Sequence, residues 1–120
     1  MVGVAKSKQT KAHEIPIKVK KAVARRDGCD GHPCCIYCGM PAPTDYPLAF
    51  SNAHIVKRSQ GGLGIETNIV TLCSSCHHKF DDSTEREEMM HYISGYMKKI
   101  YKDWSEEAQV YRKDQEDETL

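Results

Sequence analysis

The chain has 120 residues, 39% of them hydrophobic, and carries no net charge at neutral pH. That is the size of one domain, and a hydrophobic share below the usual globular range of roughly 45–50% implies a small core with polar segments appended. No apolar run approaches the roughly 18–20 residues that cross a bilayer, which excludes a membrane-spanning helix, and the opening MVGVAKSKQTKAHE lacks the apolar centre of a secretory signal.

The neutral total hides an uneven distribution. Residues 1–26 hold eight basic residues, from Lys6 to Arg26, against Glu14, a net +7; residues 104–120 hold six acids against Arg112 and Lys113, a net −4. A basic end can track phosphates and an acidic end cannot, so a balanced total does not exclude nucleic acid. Two solvated ends are the plain alternative.

Residues 1–15 read as a flexible basic arm. Pro16 can open a short helix in which Val19, Ala22 and Val23 share a face, and Gly28 stops it. Residues 29–47 crowd cysteine, proline and glycine together and read as loops and turns. LAFSNAHIV reads as a strand leading to His54, SQGGLGIETN as a loop, and IVTL, apolar and β-branched, as a second short strand. After CSSCHHKFDD the clearest helix is expected at about 84–104, with Thr84 as its cap and Glu87 completing a capping box. Met89, Ile93, Met97, Ile100 and Trp104 form one apolar stripe along it, which would pack on the core; a dimer seam is the lesser alternative. Residues 105–120 read as an acidic polar tail ending in the mobile EDETL.

Cys35-Ile-Tyr-Cys38 and Cys73-Ser-Ser-Cys76 are two C-x-x-C pairs. Two intervening residues let a tight turn aim both thiolates at one ion, about 2.3 Å from each sulfur, and four thiolates close a tetrahedral zinc site with no open position. Such a site is structural. In an intracellular protein, six cysteines point to metal sooner than to disulfides; a redox C-x-x-C is the competing reading. Gly39 suits the turn after the first pair. Cys29 and Cys34 are surplus, and Cys34 adjoins Cys35 closely enough to leave the ligand register open. Removing the zinc is expected to unfold residues 29–80, because in small sites metal binding energy becomes folding energy.

The 34 residues between the pairs exceed what a compact ribbon needs. They hold His54 and Asn68, with His77 just beyond the second pair. A strand, loop and strand would form a hairpin, and the second cysteine knuckle would lead into a helix bearing His77. These residue types suit phosphodiester hydrolysis. The attacking water has a pKa near 15.7, so a base must take its proton, and a histidine with a pKa around 6.5 does this at neutral pH. His77 can ligate a metal, and Asp81, one helical turn later, can reach the same ion. An asparagine amide can hold such groups in register. His78 is the alternative ligand, but adjacent helical residues point about 100° apart, which favours His77 with Asp81. Lys57 and Arg58 follow His54 and can contact phosphates, Arg58 bidentately; solvated surface charge is the plain alternative. Gly61, Gly62 and Gly64 permit tight turns and close backbone approach, and no G-K-[ST] follows that would make a nucleotide loop.

On RRDG, the two C-x-x-C pairs, AHIVKRSQGGLG, TNIVTLC and CHHKFDD, the chain resembles the HNH endonucleases, also called ββα-metal nucleases, and most of all their phage-type members. The resemblance covers about residues 22–82. It implies an α+β fold, a small treble-clef-like ββα-metal zinc finger flanked by an N-terminal helix and a longer C-terminal helix, with the nuclease domain at 16–104. It implies that His54 is the general base, Asn68 the central asparagine and His77 the final histidine holding the catalytic metal, magnesium or another divalent cation such as manganese. Cys35, Cys38, Cys73 and Cys76 match the structural zinc ligands of many members. Double-stranded DNA is the implied substrate, cut to 5′-phosphate and 3′-hydroxyl ends, in a bacterial or phage-infected host cytoplasm. The contexts it raises are DNA packaging beside a phage terminase or another DNA-processing protein, homing, and restriction. One position departs from the pattern: many members carry Asp or His just before the base, where this chain has Ala53. Two other classes compete with a nuclease, a non-catalytic zinc module that binds nucleic acid and a zinc domain that binds protein.

Overall fold

The computed structural model describes residues 12–28, 32–42 and 50–111. Cys29, most of the basic arm, residues 48 and 49 of the expected first strand, and residues 112–120 of the tail lie outside them. Helix α1 spans Ile17–Asp27. Pro16 starts it, as proline suits a helix N-terminus, and its carbonyl accepts from Val19 and Lys20 N–H at 3.0 and 3.1 Å. Val23, Ala24 and Asp27 are its buried residues. Gly28 ends it where a Cβ would lie 2.7 Å from the His32 carbonyl oxygen.

Strands β1 (Ser51–His54) and β2 (Ile69–Leu72) pair antiparallel, Ser51 opposite Leu72 and His54 opposite Ile69. All four residues of β2 are buried, three of them apolar and the fourth Thr71, whereas in β1 only Ala53 is. The first strand is shorter than its apolar sequence suggests. At Ile55 the chain turns off, and its N–H donates to the Asn68 carbonyl at 2.8 Å.

Helix α2 (Ser74–Asp82) begins on Cys73, whose sulfur accepts from Cys76 N–H at 3.5 Å. The second cysteine knuckle is therefore also a helix cap. Helix α3 spans Arg86–Ile100. It starts later than the Thr84 box predicts and no side chain caps it. Ser83 takes the local bonds instead, donating to Lys79 O at 2.6 Å and accepting Glu85 N–H at 3.0 Å. The stripe is buried at Met89, Ile93 and Met97, but Ile100 is 41% exposed and Trp104 lies past the helix end. Trp104 is nevertheless buried, because the turn after Tyr101 brings its indole N–H to the Thr67 carbonyl at 2.6 Å.

The core lies between the hairpin, α2 and α3, with Ile55, Val70, Leu72, Phe80, Met89, Ile93 and Met97 fully buried. A buried carboxylate joins α1 to it. Asp27 receives Arg26 Nε and Nη2 at 2.7 and 3.0 Å, Tyr96 O–H at 2.6 Å and Thr71 N–H at 2.9 Å. Arg26 also donates to the carbonyls of Glu66 and Ile69. Burying a carboxylate is costly unless it is paired and hydrogen-bonded, and here it is both.

The described residues beside both expected free ends, 12–15 and 105–111, meet the glycine loop and its neighbours. Leu63 N–H donates to Gln109 O and Tyr111 N–H to Gly61 O, each at 2.8 Å, and Gly64 N–H donates to Ala12 O at 2.7 Å. Polar backbone in the glycine loop needs partners, and the chain before α1 and after α3 supplies them. The tail expected from residue 105 is thus docked through residue 111, with Gln109 buried. Among the described residues no helix is long and apolar enough to cross a membrane.

Candidate active site

At one end of the finger Cys35, Cys38, Cys73 and Cys76 offer four sulfurs that all lie within 4.8 Å of one another. The first knuckle is a tight turn: Gly39 N–H donates to Cys35 O at 3.0 Å, with Gly39 in the left-handed region at φ 78°. Ile36 N–H donates to Thr71 O at 3.1 Å, which seats the knuckle on β2. Burial, then hydrogen bonding with Cys73 and Cys35, pushes the Cys76 thiol above its ordinary range. Four sulfurs so close together suit a cation that binds them as thiolates, and an all-sulfur tetrahedral donor set fits zinc. Cys34 stands apart, its sulfur 3.5 Å from the His32 carbonyl oxygen, so the ligand of the first pair is Cys35.

At the other end, the hairpin and α2 bound an open cleft of about 520 Å³ lined by Asn52, His54, Lys57, Arg58, His77 and Asp81, among others. His54 ends β1 and faces this cleft half-buried. Its Nε2 lies 2.9 Å from the His13 carbonyl oxygen, which can only accept, so Nε2 carries the proton and Nδ1 is the unprotonated nitrogen of the neutral ring. Burial holds the His54 pKa below its ordinary value; the His13 carbonyl opposes this and the Arg58 cation reinforces it.

Asn68 does not reach the cleft. It is fully buried, accepts Val56 N–H at 2.9 Å, and donates to the carbonyls of Val56 and Leu63 at 3.2 and 2.8 Å. Its amide ties the chain after His54 to the start of β2. His77 and Asp81 face each other one turn apart on α2, with Nε2 3.0 Å from Oδ2. His77 Nδ1 lies 2.6 Å from Ser51 Oγ, and Ser51 Oγ lies 3.2 Å from the Leu72 carbonyl oxygen. If Ser51 donates to Leu72, then His77 donates from Nδ1 and turns an Nε2 lone pair beside the Asp81 carboxylate. His77 Nε2 and an Asp81 carboxylate oxygen could then ligate one divalent cation together.

The neighbouring residues divide. His78 points to the exposed side of α2, paired with Asp82 at 3.4 Å. Lys57 Nζ donates to the Asp81 carbonyl at 2.8 Å, capping the end of α2, whereas Arg58 is exposed at the cleft rim. Ala53 is fully buried in the core, so a ligand side chain at that position would displace a core methyl, while Asn52 beside it lines the cleft. A wider depression of about 680 Å³ beside α3 is lined by Glu87, Glu88 and Glu106 among others, carboxylates that repel a polyanion.

Sequence reasoning missed several supports of the cleft. Arg86 donates to the carbonyls of Phe80 and Ile55 at 3.0 and 2.8 Å and stacks 4.2 Å above the Phe80 ring. Ser51 and the His13 carbonyl were missed too. A main-chain carbonyl has no residue signature; close approach at the glycines was the only trace.

A two-stranded hairpin leading into a helix, with a four-cysteine zinc cluster at one end and a histidine-lined cleft at the other, defines a ββα-metal finger. The model of the HNH endonuclease family matches residues 35–93, which run from the first cysteine of the cluster into α3, and over this segment the chain is similar to the HNH endonucleases. No curated protein matches the chain.

Proposed function

We propose that the protein is a metal-dependent endonuclease that hydrolyses phosphodiester bonds of double-stranded DNA. The observation that carries this reading is the meeting of His54, His77 and Asp81 in one cleft, with the base nitrogen of His54 left unprotonated. Water attacks the phosphorus in line as His54 Nδ1 takes its proton. The P–O3′ bond breaks and the departing O3′ takes a proton from solvent in the open cleft, giving 5′-phosphate and 3′-hydroxyl ends. The imidazolium that forms keeps its Nε2–H on the His13 carbonyl, which stabilises the positive ring. His77 and Asp81 would hold a magnesium or manganese ion, which would supply charge neutralisation at the phosphate and the leaving oxygen. Arg58 contacts a flanking phosphate, and Lys57 holds the end of α2 in place beside it. Asn68 acts through the loop rather than on the substrate. The zinc is structural, since four thiolates leave no position open.

Supercoiled plasmid incubated with zinc-loaded protein and a panel of divalent ions, beside His54→Ala, tests the reading. A general base contributes about 10²–10⁴-fold, so wild type nicks or linearises the plasmid and the variant binds DNA without cutting it. Equal cutting by the two proteins rejects His54 as the base. DNA binding without cutting by a folded wild type assigns the protein to the non-catalytic zinc modules.

A further inference from the structure

The hydrogen bond that fixes the His54 ring comes from far away in the chain. His13 lies 41 residues before His54 and outside the 35–93 family match. Its placement is not incidental. The His13 side chain is buried, and its Nδ1–H donates to the Gly62 carbonyl at 2.6 Å. Gly64 N–H donates to Ala12 O at 2.7 Å. The Glu14 carbonyl oxygen passes so close to Gly64 that a Cβ there would sit 1.8 Å from it. The His13 ring also meets the Tyr111 ring edge-on, with centroids 5.9 Å apart. Two hydrogen bonds, a close backbone passage and a ring contact thus seat one short segment on the glycine loop, with the His13 carbonyl on the nitrogen of His54.

We propose that residues 12–15 are a positioning element of the active site: docked on the glycine loop through His13 and Gly64, they hold His54 as the Nε2–H tautomer with Nδ1 available to take a proton. The proposal rests on His54 being the base of the reading above. Without this carbonyl either ring nitrogen can carry the proton and the ring can turn about its bond to the chain. A misplaced or wrongly protonated base loses rate while substrate binding remains. The finger as the family match bounds it therefore lacks one part of its own site. Gly64 has no positive φ, so alanine fits its backbone; what excludes a side chain is the passing segment.

The test uses the full-length, zinc-loaded protein with ¹⁵N-labelled histidine. The His54 resonances are assigned by their loss in His54→Gln. Wild type is expected to show His54 protonated on Nε2 at neutral pH. Gly64→Ala wedges the segment off the loop, and His13→Ala removes its anchor without adding bulk. Both are expected to give mixed His54 tautomers and to lower the plasmid-cutting kcat on the order of 10-fold, part of the general-base contribution, with little change in KM. His13→Asn, which restores an N–H donor toward Gly62, is expected to recover the tautomer and most of the rate. Zinc content and circular dichroism report folding, and if Gly64→Ala does not fold then His13→Ala decides. An Nε2–H tautomer that persists in the folded variants overturns the proposal, as does a wild-type His54 protonated on Nδ1. The ring resonances are read without turnover, so a wild type that cuts nothing rejects the nuclease reading while the tautomer still decides the role of the segment.

Discussion

The two ends of the hairpin–helix unit are held by different means. At the sulfur end four side chains of one type, in two pairs, do the holding, and each pair sits within one turn of chain. At the cleft end the parts that fix His54 and His77 are a buried amide, a serine hydroxyl, an arginine and a main-chain carbonyl, drawn from separate segments. The first arrangement is local and closes on one ion; the second is tertiary and closes on hydrogen bonds. The difference teaches that the end which keeps the fold together and the end fitted for chemistry can be perturbed separately.

The sharpest way to break that separation is to remove the zinc. Structural zinc supplies apparent binding energies of about 10–16 kcal/mol, as large as the whole stability of a typical domain, about 5–15 kcal/mol. Chelation is expected to abolish the folded circular dichroism signal across the hairpin, α2 and the first knuckle, and both ends fail together. A chelated protein that keeps its signal would mean that the core holds the fold by itself.

The buried carboxylate comes next. Asp27→Ala leaves the largely buried Arg26 guanidinium without its partner, and breaking a buried pair in this way costs about 3–5 kcal/mol. The expected result is a lower denaturant midpoint with full zinc content. Unchanged stability would mean that water and the carbonyls of Glu66 and Ile69 satisfy Arg26 unaided.

The smallest effect is on pH dependence. His54 acts as a base only when neutral, and burial lowers its pKa. Cutting should rise with pH, reach half its plateau below the ordinary imidazole value of about 6.5, and stay flat above it. For stability the sign is the same: a depressed folded pKa means that the unfolded chain binds the proton more tightly, so this contribution is present above about 6.5 and lost as pH falls. A half-plateau above 6.5 would show that a neighbouring carboxylate outweighs the burial.

The contrast between the ends also explains what the sequence reveals. The C-x-x-C pairs are legible because the chemistry needs those residues at that spacing, and IVTL because a strand buried on both faces is rich in β-branched and apolar residues. The flanks of α3 are not. Thr84 and Glu87 have the spacing of a capping box, but Ser83 takes the competing local bonds. Trp104 fits the helical period but enters the core from a turn, since the Thr67 carbonyl offers its indole a partner there. His54, His77 and Asp81 could be nominated by residue type and spacing, and the structure brings them to one cleft. What holds them there is a set of hydrogen bonds between side chains and main chain of distant segments, and such pairings leave little mark in a sequence. Gly64 is the exception, where a missing side chain records the passage of residues 13 and 14.

The most direct test of two separable ends is made on His77→Ala, with zinc content, circular dichroism and plasmid cutting measured on one preparation. His77 sits one residue from the zinc ligand Cys76, yet its ring belongs to the cleft. The account predicts full zinc content at the four-cysteine cluster, an unchanged helical signal, and cutting reduced by about 10² or more, since the divalent ion's charge stabilisation is worth several kcal/mol. Undiminished cutting, or loss of the zinc together with the activity, would contradict it.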